Sequence, residues 1–446
     1  MGSRVAVIGG GLAGLSCAAR LVQRGVDVTL LEARSRLGGA TFSFRRDDLT
    51  VDNGAHVLLR CYTEYLDFLR LIGSAEKVEI QPRFSVAVQH ADGRRGRLFR
   101  TQGLPAPFHL GPALAGYRLL SPTDRARVMG AATALRFLDE TDPALDRRGF
   151  GEWLRAHGQN RATMAAVWDL ITVAALNTSS DHASLALAAM VFSTALLRKP
   201  DAADIGIPTV DLQSLHAIPA ERFLRAHGAV IHTQAAVRAI RRGTEGFDLD
   251  LDDGTVSADA VVLAVPPLQA RQLLDSPVPT LETAPIVNVH AVYSRRVIDE
   301  AFVAVLGSPV QWVFDRSAVA GVSSGQYLAV SLSAAERWID APVADLRSEF
   351  APALRALFPR ARDAELREFF VTRQRHATFA QTPGSAAARL PALTDVRGLV
   401  LAGSWTRTGY PDTMEGAVRS GVTAAEHSVA ALCGRGLGVT VQRGAP

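Results

Sequence analysis

Three textures of hydrophobic and polar positions follow one another along the chain. Residues 4–8 (RVAVI) are a short apolar run, 12–24 repeat apolar positions at helical spacing, and 26–32 (VDVTLLE) are apolar again. That order predicts strand, helix, strand, and because such a crossover is right-handed the two strands lie parallel in one sheet. From about 105 to 200 the pattern becomes Ala- and Leu-rich with a helical period, as in PAPFHLGPALAGYRLL, RVMGAATALRFL and AAMVFSTALL, punctuated by Pro and Gly. This predicts an inserted helical unit. Strand signals return at 229–240, 247–251 and 260–265, alternation runs from 285 to 335, and GLVLAG at 398–403 precedes a helix over about 413–432. Beyond it a flexible tail is expected.

The turn between the first strand and helix carries the first chemistry. Gly9, Gly10, Gly11, Leu12, Ala13 and Gly14 spell G-x-G-x-x-G directly after an apolar strand and at the opening of a helix. Gly9 permits the turn, Gly11 admits a pyrophosphate to the backbone, Gly14 lets helix and strand pack closely, and the helix N-terminus faces the phosphates. Glu32 closes the next strand eighteen residues after Gly14. A carboxylate there accepts a hydrogen bond from a ribose hydroxyl and repels a 2′-phosphate, which disfavours NADP. The following ARSRLGGATFSF (33–44), from Ala33 and Arg34 through Arg36, Gly38, Gly39 and Ala40, adds a second glycine turn with a cation. It is suited to the far end of a long dinucleotide, with NAD and FAD both open on these residues alone.

With VIGGGLAGLSCAARLVQRGVDVTLLEARSRLGG in place, and with VVLAVPP at 261–267 and LVLAGSW…MEGAVRSG at 399–421, the chain resembles the flavoproteins of the amine oxidase, protoporphyrinogen oxidase and phytoene desaturase group. Within that group DNGAHVLLRCYTEYLDFLRLIG at 52–73, ALNTSSDHASLALAAMVF at 175–192 and RHATFAQTPGSAAARLP at 375–391 resemble the hydroxysqualene dehydroxylases. The resemblance implies an α/β fold, with a Rossmann-type FAD-binding domain assembled from 1–104, 206–280 and 391–433. It also implies a helical insertion at 105–205 facing substrate and membrane, a substrate-domain sheet with helices at 281–390, and the tail at 434–446. Carried over, the family's FAD contacts fall on Gly54, Ala55 and His56, on Val237, on Ala264, Val265 and Pro266, and on Gly403 and Ser404. One position departs from the pattern. Where the group commonly has an aspartate on the ribityl chain, this chain has Ser404, a hydroxyl without the charge.

The segment before the last helix has its own logic. Asp412 or Thr413 can cap it, Glu415 stands where a capping box places its acid, and the first-turn amides of Met414 to Ala417 then remain for the pyrimidine edge of a flavin. The reaction the resemblance implies is reductive removal of an allylic hydroxyl from a C30 isoprenoid, with hydride from reduced FAD, inside a dry tunnel. The departing hydroxyl needs a proton. His56, beside Asp52 and Asn53, is the first candidate donor and Asn177 the second, with Arg375 and His376 behind them.

Composition adds limits. The 446 residues are 48% hydrophobic and 21% charged with a net charge of +4, ordinary for a globular chain, and no aromatic-interleaved basic stripe points to nucleic acid. Three cysteines at wide spacings argue for a reducing, cytoplasmic setting, and no metal-ligand pattern is present. The apolar run 183–197 is too short to span a bilayer, although an apolar substrate implies peripheral contact with a membrane. The partners expected are a long apolar isoprenoid and an external electron donor, NADPH or a reductase. Two other readings stand beside this one: a desaturase or oxidase of a carotenoid precursor or amine, and a flavin-free lipid-binding scaffold on the same fold.

Overall fold

The computed structural model describes residues 3–274 and 278–433, so the tail expected at 434–446 lies outside the described residues. Its organising element is a five-stranded sheet in the order Val230–Thr233, Asp27–Glu32, Arg4–Ile8, Ala260–Leu263, Leu399–Leu401, every neighbouring pair parallel. The strands come from places scattered over almost the whole chain. Alternation along them separates two cores. Ala6, Ile8, Val261, Leu263, Leu399 and Leu401 face one side, while Val5, Val7, Val262 and Val400 face the other, under the helices Leu12–Val22, Thr63–Leu71, Ile218–Ala226 and Met414–Cys433.

The first and last helices pack against each other so closely that a Cβ on Gly421 would lie 2.0 Å from Ser16 Oγ and 2.2 Å from the Ala13 carbonyl. Ser16 Oγ also donates to the Val418 carbonyl at 3.1 Å. The C-terminal helix therefore lies directly over the glycine helix.

A seven-stranded mixed sheet forms the second layer, in the order Leu366–Phe379, Thr283–Tyr293, Gln326–Leu332, Trp312–Asp315, Phe302–Leu306, Ser85–His90, Arg95–Phe99. Helix Val343–Leu357 covers one of its faces with Leu346, Phe350 and Leu354. After the first strands of both sheets comes the helical insertion, with helices Pro122–Arg136, Phe150–Ala156, Asp169–Leu176 and Leu185–Phe192 and widened π-type turns at Met164–Trp168 and Ser193–Leu197. Phe150, Trp153, Trp168 and Phe192 stack and tilt on one another with centroids 5.1 to 6.3 Å apart, so these four rings build the segment's own core.

Two places differ from the sequence reading. Residues 85–99, expected within the first piece of the nucleotide domain, form a hairpin that joins the seven-stranded sheet, because Val86 and Val88 bury against Tyr117 and Leu119. The run 229–240 is split. Val230–Thr233 joins the parallel sheet, Gln234 turns the chain at a φ of 58°, and Ala239–Arg242 opens a separate three-stranded antiparallel meander. No helix among the described residues is long and apolar enough to cross a membrane.

Candidate functional site

The central strand Arg4–Ile8 has the chain leaving it in opposite directions on its two sides, and open α/β sheets bind ligands in the crevice such a reversal leaves at the strands' carboxyl ends. Gly9 takes a φ of +107°, with Leu31 accepting from its N–H at 2.8 Å. A Cβ on Gly14 would stand 1.9 Å from the Gly9 carbonyl oxygen, so helix and turn touch there without a side chain between them. One on Gly39 would stand 2.7 Å from Gly11 Cα, which brings the two glycine turns predicted from sequence into contact. Leu12 and Ala13 are buried beneath the turn, and Ala33, Arg34 and Ala40 stand exposed at its rim.

Glu32 is buried at the end of its strand and accepts from the N–H groups of Gly10 (2.7 Å) and Arg34 (2.8 Å). A carboxylate so held keeps further lone pairs for a hydroxyl. Arg36 lies 3.5 Å over the Phe42 ring, and Asn53 pins the loop by accepting from Phe42 N–H (3.1 Å) and donating to the Ala40 carbonyl (2.8 Å). Ala264, Val265 and Pro266 follow one neighbouring strand, Gly403 and Ser404 another, and the half-buried Val237 lies in the link leading to the meander. Trp405 Nε1 donates to the Val265 carbonyl at 2.9 Å and joins the last two strand ends.

The start of the last helix departs from expectation in one respect. Thr413 Oγ1 accepts from Gly416 N–H at 3.2 Å, as a cap should, and its carbonyl takes the Ala417 N–H. Glu415 makes no capping box. Its buried carboxylate turns away to the N-terminus of helix Thr63–Leu71, accepting from the N–H groups of Tyr65 (2.8 Å) and Glu64 (3.3 Å) and from Arg419 Nε (2.7 Å). A helix N-terminus with bare N–H groups out-competes the nearer cap position for the acid. The amides of Met414 and Glu415 are left open, Ala417's is not, and Met414 and Ala417 are half-buried.

His56, Tyr62 and Asp412 are half-buried and keep some accessible surface. His56 Nδ1 is 2.9 Å from the Gly54 carbonyl, which fixes the proton on that nitrogen and leaves Nε2 without a partner among the described residues. Burial lowers the His56 pKa; the Gly54 carbonyl and Asp52 oppose this and Arg316 adds to it. Asp52 is itself held by a buried pair with Arg316 at 2.7 Å and by Ser43 Oγ at 2.6 Å.

Next to it is a hollow lined by Asp52, Gly54, Ala55, His290, Arg316 and Tyr327. His290 stacks on Phe370, meets Thr372 Oγ1 through Nε2 (3.0 Å) and Tyr327 OH through Nδ1 (2.7 Å), and is pushed down to about 3 by burial. The sequence reading missed His290, Tyr327 and Arg316. A signal was present for the first: Asn288 and His290 are polar at alternate positions of an otherwise apolar strand, and both face this site.

Asn177 lies where the insertion meets the second sheet. It is 3% exposed in a left-handed conformation, donates to the Ala284 carbonyl (3.1 Å) and Thr378 Oγ1 (3.0 Å), and accepts from Ala334 N–H (2.7 Å). With both polar ends engaged it stitches the insertion to the second sheet. Arg375 pairs with exposed Asp340, and His376 meets Thr283 at the surface.

These residues fit a dinucleotide: two glycine turns in contact, an anchored acid for a ribose, and open amides at a helix start on the far side. A family model described as flavin containing amine oxidoreductase matches residues 12–427. The chain is 31% identical to the hydroxysqualene dehydroxylase of Rhodopseudomonas palustris, over 97% of this chain and 99% of that one. It is 26% identical to the zeta-carotene desaturase of Synechocystis, over 95% and 96%. Among solved structures it superposes on cyclohexylamine oxidase from Brevibacterium oxydans with a TM-score of 0.71 at 19% identity, covering 97% of this chain and 100% of that one.

Proposed function

The chain belongs to the flavin containing amine oxidoreductases and is an FAD-dependent oxidoreductase, and from that premise we propose that it reductively removes the hydroxyl of hydroxysqualene to give squalene. The observation that carries this reading is the 31% identity to a hydroxysqualene dehydroxylase across essentially the whole of both chains. Bound FAD, once reduced by an external donor such as NADPH or a reductase, supplies the hydride.

The protein's own residues supply the rest. Gly9, Gly11, Gly14, Glu32 and Gly39 would hold the nucleotide half, and Gly403 and the open amides of Met414 and Glu415 the redox half. His56 is the proton donor at Nε2. An imidazole whose cationic form is disfavoured by burial gives its proton up readily, and Asp52 nearby keeps protonation within reach. Four aromatic residues of the insertion, Phe150, Trp153, Trp168 and Phe192, are spent on its core, which fits a long apolar substrate better than an amine held in an aromatic cage.

Delivery from a bilayer is supported by one helix face. Ala126, Met129, Gly130, Thr133 and Phe137 recur at helical spacing without a charge, and Met129 and Phe137 are 51% and 80% exposed. Co-sedimentation with phospholipid vesicles that survives Phe137→Asp paired with Met129→Asp would remove this face from the proposal.

Full-length similarity to a zeta-carotene desaturase favours a second reading, desaturation of a linear carotenoid precursor. Incubating the anaerobically reduced enzyme with hydroxysqualene, and the oxidised enzyme with phytoene or zeta-carotene, separates the two. Squalene under reducing conditions is expected. Unchanged hydroxysqualene there, with a new double bond in the carotenoid, would replace the first reading by the second.

A further inference from the structure

The loop from Gly403 to Asp412 runs between the last strand and the last helix and is closed by one buried cation. Arg389, 2% exposed, donates through Nη2 to the Ser404 carbonyl (2.7 Å) and Thr408 Oγ1 (2.7 Å) and through Nη1 to the Tyr410 carbonyl (2.6 Å). Gln381 fixes the loop's far end by accepting from Asp412 N–H at 3.1 Å. The chain is thereby returned on itself, and the Asp412 carboxyl comes to face the Ser404 hydroxyl.

Asp412 is under-supplied for a deep acid. Its Oδ2 accepts from Phe379 N–H at 2.8 Å and Ser404 supplies a hydroxyl, while the Arg389 guanidinium, engaged with the loop carbonyls, acts on it only at longer range. A carboxylate has room for about four hydrogen bonds, and one left short of donors deep in a protein is costly. Yet Asp412 keeps accessible surface, so donors from a ligand can reach it. Glu32, the other acid of the crevice, is already anchored at the opposite end.

We propose that Asp412 and Ser404 act as a single acid–hydroxyl unit that accepts the hydroxyl hydrogens of the sugar-alcohol chain of FAD, the charge missing at position 404 being supplied from position 412. The inference rests on the flavin assignment and adds to it the residue that holds the middle of the cofactor. Burial raises the Asp412 pKa, and the Ser404 hydroxyl and Phe379 N–H act against this, as added donors from a ligand would.

The test is FAD titration of the deflavinated protein, followed by quenching of flavin fluorescence, with circular dichroism confirming that each apoprotein is folded. Asp412→Asn should weaken FAD about tenfold, the scale of a lost hydrogen bond to a charged group. Ser404→Asp sets a second carboxylate against the first. It should weaken binding at pH 8 and regain it toward pH 5, as the pair takes up a shared proton. In the double variant Ser404→Asp with Asp412→Asn the charge has only changed places, and affinity should return to within about threefold of the parent. Unchanged affinity in Asp412→Asn, or a double variant weaker than either single one, would overturn the proposal. A parent apoprotein that takes up no FAD would instead overturn the flavin assignment itself.

Discussion

Gly11 and Gly14 stand three residues apart, but the space around them sets opposite outcomes for the same substitution. An added Cβ at Gly14 meets the Gly9 carbonyl at 1.9 Å, so Gly14→Ala must displace the helix start, with a loss of about 1–3 kcal/mol and a lowered melting temperature even without cofactor. At Gly11 the nearest atom is Gly39 Cα at 3.7 Å. Gly11→Ala should leave the apoprotein's melting temperature nearly unchanged and still weaken FAD tenfold or more, because the methyl group fills the place of the pyrophosphate. Equal melting temperatures for the two variants would contradict this account. His56 is a second residue with a readable consequence. As a donor with a lowered pKa it is increasingly protonated below about pH 6.5, so kcat should rise as pH falls through that range, and His56→Gln should lose about a hundredfold together with that limb of the profile. The glycines were legible because strand, turn and helix fix what each must do. The partners of Asn177 were not legible, because a polar residue in a resembled stretch looks the same whether it meets a substrate or a backbone carbonyl.

At the scale of elements, the most informative contact joins the last helix to Thr63–Leu71 through Glu415. Replacing it by Gln keeps the size but removes the charge from two helix N–H groups and from Arg419, and should cost about 1–3 kcal/mol in denaturant titration while the bound flavin's absorption is retained. A lost flavin band with unchanged stability would show that Glu415 serves the cofactor directly. Element types were legible wherever a period of two or 3.6 ran long enough, as in Asp27–Glu32 or Met414–Cys433. Partners were not: nothing local in SVAVQH says that Ser85–His90 pairs parallel with Phe302–Leu306, more than two hundred residues on. The helix that Glu415 caps is equally remote, and sequence spacing favoured the nearer, wrong partner.

For the whole molecule, the buried histidines set a dependence on acid. His216 and His290 are pushed down to about 3 by burial, and His56 is lowered for the same reason. Below about pH 6.5 the unfolded chain takes up protons that the folded one refuses, so stability falls as pH falls. Asp412 and Glu415, raised by burial, bind protons more readily when folded and oppose the trend at the acid end. The melting temperature should therefore drop most clearly between about pH 6.5 and 5, and His290→Asn should flatten that slope; a flat parent profile would show that these rings ionise in place. The scattered origin of the parallel sheet has a consequence of another kind, in time. The glycine turn at Gly9–Gly14 is made first, and its facing wall, Leu399–Leu401 and the helix from Met414, about four hundred residues later. At about 5–20 residues per second, roughly 20–80 seconds separate the two halves of the crevice. Flavin capture is thus an event of the finished polypeptide, and a nascent chain arrested before Leu399 has a complete phosphate turn and no wall to close on the cofactor.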